Sequence, residues 1–533
     1  MKKYLLLLIS ILVLFACNSK NKANASENVK KIDPNKPGWQ QDSEKVTLDW
    51  YINYSWYAAK WGEDVVTKEI TEKTGVSVNY IVPTGDGTEK LNTMIASGTL
   101  PDLITLDARD PIVETMIKGN LLLPYNKLAE EYDMYFFKVA DKDKMNWYKK
   151  EDGNTYSYPN ASYTSKNYKD MKNITSNNTF LVRKDIYEAI GKPDMTTPEG
   201  FLKALRSAKE KFPTVNGQAI SPLAFQESID ITLGDYFQDF LAIPYEKDGK
   251  YNDKFTDPDY VKWLKTLRQA YSEKLISTDV FVDKRSQIEE KMTQGKYFAM
   301  MYPYIDALRP LSIRFKQDPK SNYIAVDGPK NSKGDKHTLA GPGISGWTVT
   351  LISKNNKNPQ KTIRFLSYLL SEEGQRTILL GKKGVTWEEV NGKEQLIASV
   401  AKMRTEDRKQ FDQTYGADDM HWMLMDNAMQ RLKWGVPSPE HQIQIEEWTY
   451  DKVQPRFAYD MLDPLGNTPE SVINDKVKLK LTKALATLIT AKSESEFDKV
   501  YNNFIEERKA LGYEKVIEYK TNKIKENKSK LGL

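Results

Sequence analysis

Between residues 46 and 106 the hydrophobic period switches four times. Val46, Leu48, Trp50 and Ile52 alternate with polar or exposed positions, as a strand does. Residues 61–74 read as a helix with Val65, Val66 and Ile70 inward, stopped by Gly75. Val76, Val78, Tyr80 and Val82 alternate again, and Leu91, Met94 and Ile95 mark a second amphipathic helix over 88–97, closed by Gly98. Pro101-Asp102 then opens a short apolar strand over 103–106. Strands joined by helical crossovers of this length pair in parallel, so the fold class is α/β. Ligands bind such sheets beyond the carboxyl ends of the strands. The loops after 52, 82 and 106 are therefore candidate binding segments.

A second block begins at the strand Phe180-Leu181-Val182, with helices expected over 186–190 and 197–211. Pro198 suits the first turn of the latter, and Phe201, Leu202, Leu205 and Ala208 make its inner face. Further expectations are a helix over 260–275, strands over 298–302 and 347–352, and a helix over 362–371. The last third reads as helices over 420–433, 440–452, 469–491 and 495–510, with a frayed, Lys-rich end. No internal repeat is present.

The first residues bear on the compartment. Lys2 and Lys3 precede an apolar run from Tyr4 to Phe15, broken only by Ser10. A dozen residues is short of the about 20 that span a bilayer, but matches a signal-peptide core. The run ends in Leu14-Phe15-Ala16-Cys17, which resembles a bacterial lipobox, and Cys17 is the one cysteine of the 533 residues. The expectation is a signal peptide over 1–16 and a lipid anchor at Cys17, with acyl chains holding the protein on a membrane. Residues 17–44 are polar and read as a flexible tether. One Cys excludes a disulfide framework, and three His leave little for imidazole metal cages. A net charge of +5 among 151 charged residues carries no nucleic-acid signal.

Several stretches resemble the extracellular solute-binding lipoproteins of bacterial ABC importers, in the sugar-binding cluster related to maltose-binding protein and its long oligosaccharide-binding relatives. They are Ala96-Ser97-Gly98-Thr99-Leu100-Pro101-Asp102-Leu103-Ile104, residues 151–159, Leu181-Val182-Arg183-Lys184-Asp185, residues 294–300, and Trp347 to Ser353 followed by Asn358-Pro359 and Ser371-Glu372-Glu373-Gly374-Gln375. Each is weak alone; their order and spacing carry the likeness, over about residues 45 to 390. The resemblance implies a two-lobed periplasmic-binding-protein-like fold of type II with a helix-rich C-terminal extension. It implies an N-terminal lobe of 45–155 and 299–355 and a C-terminal lobe of 156–298 and 356–533, with crossings at 151–159 and 294–300. It also implies a monomer without cofactor that closes on a small-molecule or oligosaccharide ligand. The expected partner is an ABC permease at the outer face of the membrane, in a cell of Gram-positive type. Long relatives often carry a calcium loop after the helix matching 197–211. Here Phe212-Pro213-Thr214-Val215-Asn216-Gly217-Gln218-Ala219-Ile220 keeps Asn-Gly without a carboxylate, so no calcium is expected there.

Within that frame the candidate ligand-binding residues follow the strand ends and crossings. Tyr54, Trp56 and Tyr57 lie after the first strand and either stack on a saccharide's C–H face or pack the following helix. Asp107 and Arg109 follow the third strand; Asp107 either accepts sugar hydroxyls or caps the next helix. Tyr158 and Asn160 sit at the expected first crossing, and Tyr302 and Tyr304 just past the return strand. Trp347 follows Gly341-Pro342-Gly343-Ile344-Ser345-Gly346, whose glycines let backbone approach a ligand. That run lacks the Lys-Ser/Thr of a phosphate loop. Met and Trp around Trp422 and Trp434 read as core. Two other functions compete: an oligopeptide-binding lipoprotein, and a surface glycoside hydrolase with two carboxylates about 5–10 Å apart. No catalytic Ser or Cys motif is present, and the reading is a binder, not an enzyme.

Overall fold

The computed structural model describes residues 33–533 apart from 228, 417–423, 436–437 and 467. The signal segment, Cys17 and the tether up to residue 32 lie outside the described residues, as does Trp422 with the first residues of the 420–433 helix. The protein is built on two separate mixed sheets, each wrapped by helices, in a two-lobed α/β architecture.

The first sheet runs in the order Val76–Ile81, Val46–Ile52, Leu103–Asp107, Thr348–Ser353, Leu122–Leu123, and Ser157–Pro159 also pairs with Thr348–Ser353. Its first three strands are parallel and Thr348–Ser353 is antiparallel to Leu103–Asp107. The alternation read in the sequence sorts side chains to opposite faces. Leu48, Trp50 and Ile52 enter one core, Tyr51 the other; Leu103 and Ile352 join the first, Ile104, Leu106, Val349 and Leu351 the second. The helix expected over 61–74 starts at Val65, because the Asp64 carboxylate accepts from Thr67 N at 2.8 Å and caps it.

The second sheet runs Tyr323–Ala325, Asn178–Arg183, Tyr297–Pro303, Ser221–Phe225. Its core gathers Phe180, Phe201, Phe237 and Trp263.

Sheet membership corrects the expected boundaries. The strand Tyr297–Pro303 pairs with Asn178–Arg183 and Ser221–Phe225, so it belongs to the second lobe and not the first; all seven residues are buried. Ser157–Pro159 is a strand of the first sheet, and the chain crosses afterwards, over 160–177. The helix Pro359–Leu370, expected in the C-terminal lobe, covers the first sheet instead. Phe365 stands edge-on to Trp50 at 6.3 Å, and the same core continues through Trp387, Phe411 and Trp434. The chain then returns to the second lobe. Gln444, on the helix Glu440–Tyr450, bonds both backbone groups of Ala325 at 2.8 Å, and Leu481, Leu485, Phe497 and Phe504 join the second core.

Two segments read as loose are ordered. Residues 33–44 dock on the first lobe: Trp39 is buried edge-on to Tyr135 and Tyr368, and Asp42 bridges Lys361 at 3.2 Å and Arg364 at 2.7 Å. The Lys-rich end is the helix Glu514–Leu531. It touches both lobes. Thr521 Oγ1 accepts from Tyr251 N at 3.0 Å in the second lobe, while Asn527 donates to the carbonyls of Ala458 and Asp460, and Leu531 packs on the first-lobe core.

Candidate ligand-binding cleft

The carboxyl ends of the three parallel strands and the start of Thr348–Ser353 lie along one edge of the first sheet. Thr348 is the register partner of Asp107, and Ala108 N donates to Trp347 O at 3.0 Å, so the loops after the first and third strands meet Trp347 there. Trp56 and Trp347 stack with ring centroids 6.4 Å apart and planes 9° from parallel. Tyr54 joins them at 5.3 Å from Trp56 and 5.2 Å from Trp347. Trp56 is 57% exposed, and Tyr54 and Trp347 are half-buried, so the trio offers an aromatic surface to solvent. Burial, then the charges of Asp107 and Asp110, push the Tyr54 hydroxyl above its ordinary range. Tyr57 is buried against Tyr80 and packs the core.

Trp347 is held from behind. Asn160 is buried; its Oδ1 accepts from Thr348 N at 2.8 Å and its carbonyl from Trp347 N at 3.3 Å. Gly346 has φ +67, and a Cβ there would run into the Asn160 carbonyl oxygen. A Cβ at Gly343 would meet the Asp460 carboxylate. The glycines expected to admit a ligand thus admit other parts of the protein.

Asp107 does not cap the following helix, which begins at Ile112; its Oδ1 accepts from Arg109 N at 2.8 Å and so closes the turn after the third strand. Its side chain is still 41% exposed. Arg109 lies 3.9 Å from Asp107 and 3.7 Å from Asp460, and its guanidinium reaches Ser345 Oγ at 3.4 Å. Asp460 in turn accepts from Ser345 N at 2.9 Å. Asp460 was not legible as a site residue. It stands 351 positions after Arg109, in a stretch with only general helical character. Asp110, just ahead of the helix Ile112–Lys118, accepts from Ile112 N at 3.0 Å; burial, then Asp107 and Asp86, hold its carboxyl above the ordinary range.

The remaining candidates stand elsewhere. Tyr158 is buried under the first sheet beside Tyr125, with its hydroxyl accepting from Asp141 N at 2.9 Å, and is structural. Tyr302 and Tyr304 belong to the second sheet's corresponding edge. Both are buried; Tyr304 donates to Glu446 at 2.8 Å and so pins the helix Glu440–Tyr450. Burial, then Glu227 and Glu289, push the Tyr302 hydroxyl above its ordinary range. Arg285 sits nearby, 2.8 Å from both Glu289 and Asp306.

The crossings join these two edges. The 160–177 segment leaves the edge at Asn160 and enters the second sheet at Asn178. Two later crossings pair with each other as the short parallel strands Leu339–Ala340 and Val453–Gln454. Beside them Arg456 bridges fully buried Asp239 at 2.7 Å; Asp239 also accepts from Asn178 at 2.6 Å and Ala340 N at 2.8 Å. Burial pushes the Asp239 carboxyl up to about 6 against the pull of Arg456. The segment Arg456 to Asp460 therefore holds one ion pair into each lobe.

Residues 212–220 form a hairpin, Thr214–Val215 with Gln218–Ala219, turned by Asn216 at φ +50 and Gly217 at φ +76. Among the described residues no group of three or more His, Cys, Asp or Glu is arranged to hold a metal ion. No helix among them is long and apolar enough to cross a membrane.

Two lobes, each built on its own sheet and joined by several chain crossings, are the architecture of a solute-binding protein. Residues 66–386 match the family model of the bacterial extracellular solute-binding proteins, and the chain belongs to that family. Over 317 residues it is 27% identical to the fructooligosaccharide ABC transporter substrate-binding protein FusA of Streptococcus pneumoniae; this covers 56% of the chain and 57% of that relative's length. Among solved structures, the alginate-binding protein AlgQ2 without calcium ion superposes with TM-score 0.67 at 20% identity, over 92% of this chain and all of that one. FusA in complex with kestose gives TM-score 0.68 at 16% identity, covering 91% and 100%. An HMO binding ABC-transporter associated solute-binding protein of Bifidobacterium longum infantis gives TM-score 0.64 at 12% identity, covering 91% and 99%. At these identities the superpositions establish the fold.

Proposed function

We propose that this protein captures a carbohydrate, most simply an oligosaccharide, between its two lobes and delivers it to the membrane permease of an ABC importer. The observation that carries the reading is the aromatic trio Tyr54, Trp56 and Trp347 on the ligand-facing edge of the first sheet. Sugar rings stack their C–H faces on such surfaces, and aromatic side chains lose little rotamer freedom when fixed. The relative and the solved structures bind carbohydrates by name, which agrees with this chemistry. Asp107 and Arg109 supply polar partners for hydroxyls beside the trio, with Asn160 acting through Trp347. Closure follows if ligand contacts both edges better in the closed form than in the open one. The protein works by binding as a monomer, without cofactor. A lipid at Cys17 holds it on the outer face of the cell membrane.

Thermal-shift screening against mono- and oligosaccharides tests the reading, because a ligand that binds only the native state must raise stability. A sugar that raises the melting temperature and alters Trp fluorescence without product formation supports it. Turnover of a glycan would favour the hydrolase, and stabilisation by peptides alone the oligopeptide binder.

A further inference from the structure

The aromatic trio leaves the ligand's charge open, and the two edges carry that information. On the first-lobe edge, Asp86, Asp107, Asp110 and Asp460 stand against one guanidinium, Arg109. Around the end of Tyr297–Pro303 in the second lobe, Glu227, Glu289 and Asp306 stand against one guanidinium, Arg285. Each guanidinium is already shared between two carboxylates, 3.7–3.9 Å away for Arg109 and 2.8 Å for Arg285.

Among the described residues, Lys90 and Arg431 also border this region, and both bond to backbone or crossing groups. Lys90 donates to Val82 O at 3.1 Å and lies over the Tyr51 ring. Arg431 donates to Asn173 O at 3.1 Å and Thr175 Oγ1 at 3.3 Å in the first crossing. The excess negative field is felt inside the cluster: Asp107 and Asp86 add to burial in raising Asp110.

We infer that the cleft is built for an uncharged saccharide and rejects acidic ones, an inference that rests on the carbohydrate reading above. Carboxylates accept hydroxyl hydrogen bonds well, and these are of the stronger, charge-assisted kind. A ligand carboxylate or sulfate would meet seven carboxylates against two guanidiniums, of which Arg285 is bonded to two of those carboxylates at 2.8 Å and Arg109 lies 3.7–3.9 Å from two more. Rejection of this sort is how a site discriminates between ligands of similar shape. A site for uronates needs guanidiniums free for bidentate pairing.

The test is calorimetric titration of the purified protein with neutral oligosaccharides and with oligouronates of matched length, at low and high salt. A neutral sugar should bind, and every oligouronate at least tenfold more weakly, with the gap narrowing in high salt as charges are screened. The double variant Asp110→Asn, Asp306→Asn should narrow the same gap at low salt; if it does not fold, the salt dependence of the wild-type protein decides. An oligouronate that binds as tightly as the best neutral sugar overturns the charge rule and leaves the carbohydrate reading standing. Binding of peptides and of no saccharide of either charge overturns the carbohydrate reading itself.

Discussion

Trp56 and Trp347 come from two separate segments of the first lobe and stack within 9° of parallel at one strand edge. Replacing Trp347 with Ala removes half of that surface from a half-buried position. Sugar affinity should fall by tenfold or more, about 1.4 kcal/mol per decade, while the melting temperature moves by a few degrees at most. Titration of wild type and variant with the same sugar decides; equal affinities would place Trp347 outside the site.

Asn160 is expected to act through Trp347. Asn160→Ala leaves Thr348 N without its side-chain acceptor in a buried place, a loss of about 1–3 kcal/mol. Gly346→Ala should be worse, since φ +67 is itself unfavourable for Ala and its Cβ strikes the Asn160 carbonyl. Urea denaturation measures both. A Gly346→Ala protein as stable as wild type would refute the account of this turn.

Docking of residues 33–44 predicts that Asp42 is structural. Burial raises its carboxyl, but Arg364, the Glu44 amide and Lys361 together bring it below the ordinary range. Asp42→Ala leaves two buried cations behind and should cost about 3 kcal/mol or more. Asp42 thereby contributes stability above its unfolded value near 3.8 that is lost as pH falls further. Removal of residues before 45 should lower the melting temperature comparably. An unchanged melting point would mean the segment is only laid on the surface.

Two neighbouring buried groups oppose each other in acid. His337, whose Nδ1 lies 2.7 Å from Phe240 O, is held down to about 4 by burial. The unfolded chain therefore binds its proton first, and stability drops as pH falls from 6.5 to about 4, by about 3 kcal/mol. Asp239, raised to about 6, does the reverse: its contribution is complete below 3.8 and disappears as pH rises through 6. Between pH 4 and 6 the two offset each other. His337→Gln leaves Asp239 alone, so the variant should gain stability relative to wild type on going from pH 6 to 4. Parallel pH profiles would refute this balance.

The proposed lipid anchor has its own test. Cys17→Ser should release the protein from membranes into the medium on fractionation. A variant that still sediments with membranes would show that something other than Cys17 holds it.

Short-range patterns were the legible part. Alternation over 46–52 and 76–82 placed both strands; of the aromatic residues after the first of them, Tyr54 and Trp56 gather with Trp347 at the strand edge and Tyr57 packs the core. Trp347 was legible because it opens a strand behind a glycine run. Pairing was not legible. Nothing local in Tyr297–Pro303 tells which sheet it joins, since a strand buried on both faces reads alike in either lobe. The tyrosines mislead for a related reason: Tyr302 and Tyr304 carry hydrophobic rings that serve a core as well as a cleft. Asp460 reaches Arg109 only through the crossing that follows Val453–Gln454, beyond the segments that carry the family likeness.

The strand Thr348–Ser353 has a consequence for the order of events. It lies between Leu103–Asp107 and Leu122–Leu123, and the Thr105 and Thr350 hydroxyls bond 2.8 Å apart across 245 positions of sequence. A chain emerging N-terminus first carries an open sheet edge until residue 353 has appeared. Contacts of such separation assemble slowly, because the intervening loop must close before they contribute. The first lobe therefore cannot complete its sheet until 353 of the 533 residues have been made.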